Sequence, residues 1–411
     1  MKNLFKYASL LMAAAMLFSC EGTVDPDGPT PGPGPEPGPG PEPENLELKI
    51  ASDRNLVQTG VDEATITVTL GEEVITKDVT FFDGNNKVID LPGFKFKASK
   101  SGEHKIWASY GTYISEKVTI KAIDMAIPAT PNDPKPSSTD FKARVLMTEF
   151  TTVGCTYCPN MKLVLHDIMA DEAMADKVVF TACHSGIIEP TADPAYIKTT
   201  LDDFCQSTGF PSVNFDFYYT EGNYTKPRSE FKAIVNDCHS FKEEVAAGIA
   251  VNSQVIDGKL VVKATVKSAE TGEYRIGACL VEDGIQATQK GGMAEPWMDT
   301  HDGVMRYIDS KYGNNLYYGH SLGKIEAGMT ADYLFDWDLD TIWSEGDRAA
   351  QIYGKTNWNE FVMENLHLVV FVSATGTNNK GEQFYYVNNV IDCPINGETP
   401  FEYRSCILST L

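Results

Sequence analysis

EFTTVGCTYCPNMKLVLHDI, residues 149–168, sets Cys155 and Cys158 two residues apart, where a strand-like run passes into a helix-like one. The run before it, ARVLMTEF (143–150), is apolar enough for a buried strand. Beyond it, Met161, Val164, Leu165, Ile168 and Met169 recur at i, i+3, i+4, i+7 and i+8, one face of a helix. Pro159 falls in the first turn of that helix, where a missing N–H costs least. A CxxC can ligate zinc, carry redox chemistry or form a structural disulfide. Zinc wants four ligands; the neighbouring candidates are Cys183 and His184, and there is no second CxxC. Redox chemistry needs a thiolate, which an ordinary cysteine with a pKa of about 8.5 supplies poorly. A helix N-terminus beside Cys155 supplies about half a positive charge and unpaired N–H groups. The spacing therefore favours a redox pair, with zinc and a structural disulfide as the alternatives.

Strand and helix signals alternate downstream. KVVFTA (177–182) reads as a strand. DPAYIKTTLDDFCQSTG (193–209) reads as a helix capped by Asp193, with Ile197, Leu201, Phe204 and Cys205 inward and a stop at Gly209. FPSVNFDF (210–217) is a strand, and PRSEFKAIVNDCHSF (227–241) a helix burying Phe231, Ile234, Val235 and Cys238.

This order resembles the thioredoxin fold. The resemblance implies that Cys155 attacks, Cys158 resolves, Glu149 is a buried acid that moves protons, and Pro211 in GFPSV is a cis-proline shaping the substrate groove. Gly154 departs from the tryptophan of classical members, and Thr156-Tyr157 is similar to the pair in periplasmic disulfide isomerases. The helix-start position also implies that Cys155 is the more exposed and more acidic thiol. The apolar neighbours of Glu149, such as Val145 and Met147, place its side chain in the core, and no Lys or Arg is set by sequence to pair with it.

The compartment follows from the N-terminus, MKNLFKYASLLMAAAMLFSC. Lys2 and Lys6 precede an apolar run, Leu10 to Phe18, too short to span a bilayer. The ending Leu17-Phe18-Ser19-Cys20 resembles a bacterial lipobox, which implies cleavage before Cys20 and lipidation of it. Residues 1–19 thus read as a signal peptide. Residues 20–45 read as a tether, with proline at alternate positions from Pro29 to Pro43. Its proline-rich stretch would extend roughly 50 Å as polyproline II. A net charge of −23, from 34 basic and 57 acidic residues, argues against nucleic-acid partners. The partners expected are the membrane, through the lipid on Cys20, and envelope proteins as substrates or redox partner; no cofactor is expected.

The remaining chain is β-patterned. Residues 46–124, with ATITVTL, FKFKA and VTIKA, read as an immunoglobulin-like sandwich, and 125–140 as a proline-rich linker. Residues 141–248 form the thioredoxin-like α/β part. Residues 249–411 read as a C-terminal β-sandwich: KLVVKATVK alternates, and HLVVFVSA and QFYYVNNVI make a hairpin. A polar, tryptophan-bearing insertion is expected around 287–360; His301, Asp302 and Arg306 within it read as loop structure. Cys393 and Cys406 close a short loop and could pair. The fold class expected is multidomain α+β.

EFTTVGCTYCPN, GFPSVNFD, THDGVMR and ENLHLVVFV resemble the Omp-twenty-eight-related outer-membrane lipoproteins over about 140–411. That likeness implies an outer-membrane address. It admits two functions: thiol–disulfide exchange on envelope proteins, or a non-catalytic, adhesin-like surface protein that uses the thioredoxin scaffold for binding. Anchoring by acyl chains alone has a direct consequence. Cys20→Ser should move the chain from the membrane to the soluble fraction; a variant that stays with membranes through a carbonate wash would show another anchor.

Overall fold

A computed structural model of the chain describes residues 46–404, apart from 57, 58, 125, 126, 257, 310–316, 378–380 and 382. The signal segment, Cys20, the tether and Cys406 lie outside the described residues. The chain divides into two compact units, Met1–Asp124 and Met125–Leu411.

In the first unit a four-stranded sheet contains Leu48–Ser52, Ala64–Leu70, Glu73–Val74 and Lys95–Phe96. A five-stranded sheet is built on Thr80–Asp83, Gly102–Tyr110 and Val118–Ala122. The two-residue period does its expected work: Ala64, Ile66 and Val68 are buried while Thr65 and Thr67 are exposed. Their inward row joins Phe81, Ile106 and Ile120 in one core.

The second unit opens with β1 (Val145–Phe150), α1 (Cys158–Met169), β2 (Val178–Cys183), β3 (Ser212–Phe215), β4 (Tyr219–Glu221) and α2 (Arg228–Lys242). β1 pairs parallel with β2 and antiparallel with β3, and β3 antiparallel with β4, giving the order β4-β3-β1-β2. Met161, Val164, Leu165 and Ile168 of α1 and Phe231, Val235 and Cys238 of α2 pack on Val145 and Met147. Met169, expected inward, is 38% exposed.

The helix expected over 193–209 is reduced to one turn, Leu201–Phe204. Asp193 does not cap it. Its carboxylate accepts instead from Thr152 Oγ1, the Val153 and Ala195 amides and His184 Nδ1. The next residues are held by distant groups. Trp358 Nε1 donates to the Tyr196 carbonyl at 2.8 Å, and the Tyr317 hydroxyl bonds Thr199 and Thr200.

The rest comprises β5 (Gly248–Ile256), β6 (Lys259–Lys267), β7 (Gly272–Glu282), β8 (Val304–Ile308), β9 (His320–Ile325), β10 (Thr330–Asp338), α3 (Leu339–Ala349), β11 (Leu366–Thr377), β12 (Gln383–Pro394) and β13 (Glu398–Thr399). β11 and β12 form the expected antiparallel hairpin. A four-stranded sheet, β10-β6-β5-β13, shares a large apolar core with β7, β11 and β12.

The division expected at residue 248 is not a break in the fold. β2 pairs parallel with β8 at Ala182–Val304, so one nine-stranded sheet runs β4-β3-β1-β2-β8-β7-β11-β12, with β9 beside β7. Its apolar cover is also continuous: Phe150 and Cys183 share a cluster with Cys279, Met305 and Phe371. The stretch 287–360 is correspondingly no simple insertion, because β8, β9 and β10 belong to the two sheets. Nor is 127–140 a free linker. Ala129, Thr130, Asp133 and Pro136 take hydrogen bonds from or with Asn252, Thr265 and Lys267 of β5 and β6.

A buried ion pair ties these parts together. Lys242 Nζ, at the end of α2, donates to Asp216 Oδ1 at 2.7 Å and to the Val387 carbonyl of β12 at 3.1 Å. The same Asp216 oxygen accepts the Leu146 amide of β1. Burial pushes the Asp216 carboxyl up to about 6 even against Lys242. Lys242→Ala leaves that acid buried alone and should cost about 3–5 kcal/mol, read as a urea midpoint. Lys242→Met with Asp216→Asn should recover most of the loss; equal losses in both variants would mean the charge pairing is irrelevant.

Candidate active site

Cys155 lies in the loop after β1, and Cys158 is the first residue of α1. They form a disulfide with a Cα–Cα distance of 5.4 Å. The helix start has no side-chain cap, and the Cys158 amide donates to Cys155 Sγ at 3.1 Å. The Cys158 N–H is thus already directed at the sulfur that becomes a thiolate at Cys155 once the bond is reduced. Pro211 follows a cis peptide bond. The Phe150–Ser212 register sets it just beyond the end of β1, at the start of the loop that carries the cysteines.

Glu149 continues the inward row of Val145 and Met147 and is 3% exposed. Its Oε1 has no protein hydrogen-bond partner. Burial pushes its pKa up to about 7, although the charges of Lys162 and His184 pull it down. Lys162 is the basic neighbour that sequence spacing left out. Its Nζ donates to the Met298 and Thr300 carbonyls at 2.9 and 3.2 Å and reaches His301 Nδ1 at 3.5 Å. Its signal was present: Lys162, Leu165, His166 and Met169 form a second helical stripe, and all four line one cavity with Glu149.

His184 and His301 complete this polar group. His184 Nδ1 bonds Asp193 at 2.8 Å, and the two imidazoles meet edge to face at 5.2 Å. Burial works against the Asp193 charge, but His184 and the backbone donors outweigh it and hold the acid at about 2. Burial pushes His301 down to about 3. His301, read from sequence as loop structure, lies in the short strand Thr300–His301 and lines the same cavity as Glu149. Asp302 accepts the Gly284 amide, and Arg306 pairs with Glu282 and stacks on Trp358.

The four zinc candidates do not come together. Cys183 packs on the opposite face of the sheet from Glu149, with Phe150 and Cys279, and among the described residues no three His, Cys, Asp or Glu are placed to hold a metal. Cys183, Cys205, Cys238, Cys279 and Cys393 are buried free thiols. Cys406, the partner considered for Cys393, lies outside the described residues.

In the oxidised pair neither cysteine is open to solvent. Cys155 and Cys158 are 2% and 1% exposed, although Tyr157 between them is 58% exposed. Two loops cover the sulfurs' loop. The Lys290 amide donates to the Val153 carbonyl at 2.8 Å, and Gln289 Nε2 reaches the Cys155 carbonyl at 3.1 Å. Gly291, at φ +131°, comes so close that a Cβ would lie 2.5 Å from the Thr156 carbonyl oxygen. On the other side a Cβ on Gly154 would lie 2.8 Å from the Ile188 oxygen, so glycine there admits the 188–191 loop.

No family model matches the chain, and no curated protein does. Among solved structures, HBP35 of Porphyromonas gingivalis is similar at 14% identity and a TM-score of 0.45, over 67% of this chain and 82% of that one. Domains 4–9 of the surface layer protein SbsC match at 9% identity and a TM-score of 0.15, over 85% of this chain and 50% of that one. Likenesses this distant carry no argument about function.

The buried acid makes stability depend on pH. The folded chain holds the Glu149 proton up to about pH 7, whereas the unfolded chain releases it near 4.5. The contribution is therefore full below pH 4.5 and is lost as pH rises through about 7. Relative to Glu149→Leu, the natural chain should lose on the order of 3 kcal/mol between pH 4.5 and 8. Urea midpoints across that range check it; parallel profiles would place Glu149 in solvent.

Proposed function

We propose that the chain is a lipid-anchored thiol–disulfide exchange protein of the bacterial cell envelope, with Cys155 and Cys158 as its reactive pair. The observation that carries this is a disulfide at an uncapped helix start, entered from a strand that buries an acid of raised pKa, Glu149. The strand order β4-β3-β1-β2, with α1 and α2 packed on it, supports a thioredoxin-like reading of this part. The paired sheets of the first unit support an immunoglobulin-like spacer. The lipobox-like segment ending at Cys20, and the likeness to Omp-twenty-eight-related lipoproteins, support an outer-membrane anchor.

In the reducing direction, the Cys155 thiolate attacks a substrate disulfide and expels one substrate thiolate. Cys158 then attacks Cys155 Sγ and expels the second. Two electrons pass from the dithiol to the substrate, and the two thiol protons end on the substrate sulfurs. Glu149 serves as the acceptor for the Cys158 proton, which its pKa near neutrality suits. The oxidised pair runs the same steps backward on a substrate dithiol.

Burial of both sulfurs favours a second reading, a surface binding protein whose disulfide is structural. Trapping separates the two. Cys158→Ala produced in the envelope should accumulate Cys155-dependent mixed disulfides with other proteins, visible on non-reducing gels. Adding Gln289→Ala, which loosens the cover, should raise their yield several-fold. No adducts under conditions that trap a control oxidoreductase would leave the binding protein.

A further inference from the structure

Behind the cysteine loop lies a cavity of about 550 Å³, within the size range of small-molecule sites. Its walls include Leu165, Met169, Phe180 and Trp297, and its polar end holds Glu149, Lys162, His184 and His301. Trp297 and His166, ring centroids 4.7 Å apart, stand on its more exposed side, with Trp297 37% exposed.

The polar end is asymmetric in a way that selects a ligand. The donors on Lys162, His301 and Gln289 are already committed. Lys162 gives its hydrogens to the Met298 and Thr300 carbonyls and His301. His301 Nε2 bonds the Ala287 carbonyl at 3.0 Å. Gln289 Nε2 is directed at backbone carbonyls, among them that of Cys155. Two buried atoms are left without a protein partner, Glu149 Oε1 and His184 Nε2. His184 Nδ1–H is given to the Asp193 carboxylate, and the free Nε2 accepts in the neutral imidazole and donates in the imidazolium. Glu149 Oε1, once ionised above about pH 7, requires a donor, and His184 Nε2 requires a group that both gives and takes a hydrogen, as a hydroxyl does; leaving them unmet costs free energy. A carboxylate, phosphate or carbonyl brings only acceptors. A cation would be stripped of water beside Lys162. A neutral hydroxyl supplies the hydrogen, and an aromatic body suits walls that include an indole, a phenyl ring and a thioether.

We propose that this cavity is a binding site for a small neutral hydroxylated aromatic molecule of the phenol class, its hydroxyl directed at Glu149 and His184 and its ring between α1 and Trp297. The site is independent of whether the disulfide turns over.

Phenol, toluene and benzoate serve as probes, titrated into the intact chain at pH 8.5 and followed by their own ring-proton signals in NMR spectra. Phenol should bind at least tenfold more tightly than either of the others. Glu149→Leu should erase the preference of phenol over toluene. Met169→Trp, which fills the cavity from a partly exposed position, should weaken phenol at least tenfold, and Trp297→Ala does so without adding bulk should the first variant misfold. Equal affinity for phenol and toluene, preference for benzoate, or phenol binding unchanged in Met169→Trp and Trp297→Ala would each overturn the proposal. So would ring-proton signals of phenol unchanged by the natural chain, which would leave a cavity that holds solvent only. Trapping by Cys158→Ala is read separately, so loss of one result leaves the other standing.

Discussion

One buried ion pair decides how the larger unit is assembled. Lys242 closes α2 by reaching Asp216, and both reach further, Lys242 to the Val387 carbonyl and Asp216 to the Leu146 amide. Neither charge is tolerable alone in that environment, so the strand that leads to the cysteines, the helix behind it and the closing hairpin are fixed by one condition. Asn388 and Asn389, next in β12, extend it: their side chains bond the backbone at Lys142, Val245 and Ala247. The two halves of the unit are therefore joined by polar groups that only the complete fold satisfies.

The same economy governs the cysteines. Exchange at this disulfide would need a substrate to reach it, and the backbone acceptors of Val153 and Cys155 are taken by the chain's own Lys290 and Gln289. Glycine at 154 and 291 lets the covering loops approach to distances that any side chain would forbid. Access becomes a matter of displacing a few hydrogen bonds from exposed loops, which is a small cost beside global unfolding.

The readable parts of the sequence are those whose partners are near in the chain. α1 and α2 announce themselves by period, β1 by its apolar run, and Glu149 by alternation with Val145 and Met147. The stripe Lys162, Leu165, His166 and Met169 was equally legible, but nothing local says that a cavity faces it. Asp193 carries every mark of a helix cap, and only the arrival of Thr152 and His184 diverts it. The join between β2 and β8 leaves no local trace, because a buried parallel strand looks the same whichever neighbour it receives. A proline-rich stretch such as 127–140 reads as a spacer until the strands that hold it are known.

That join has a bearing on how the chain is made. Ala182 and Val304 sit side by side in the sheet, but synthesis reaches one long before the other. While β8 is still missing, β2 is an open edge, and Cys183 on it and Cys205 close by are unshielded thiols. In an oxidising compartment a nascent chain in that state has Cys155 and Cys158 within reach of wrong partners. A helix that brings Cys158 one turn from Cys155 lets the correct bond close locally and early. The cysteine pair needs only the segment from Val145 to Met169, whereas the sheet needs Val304, so the short-range bond is the one that can close first.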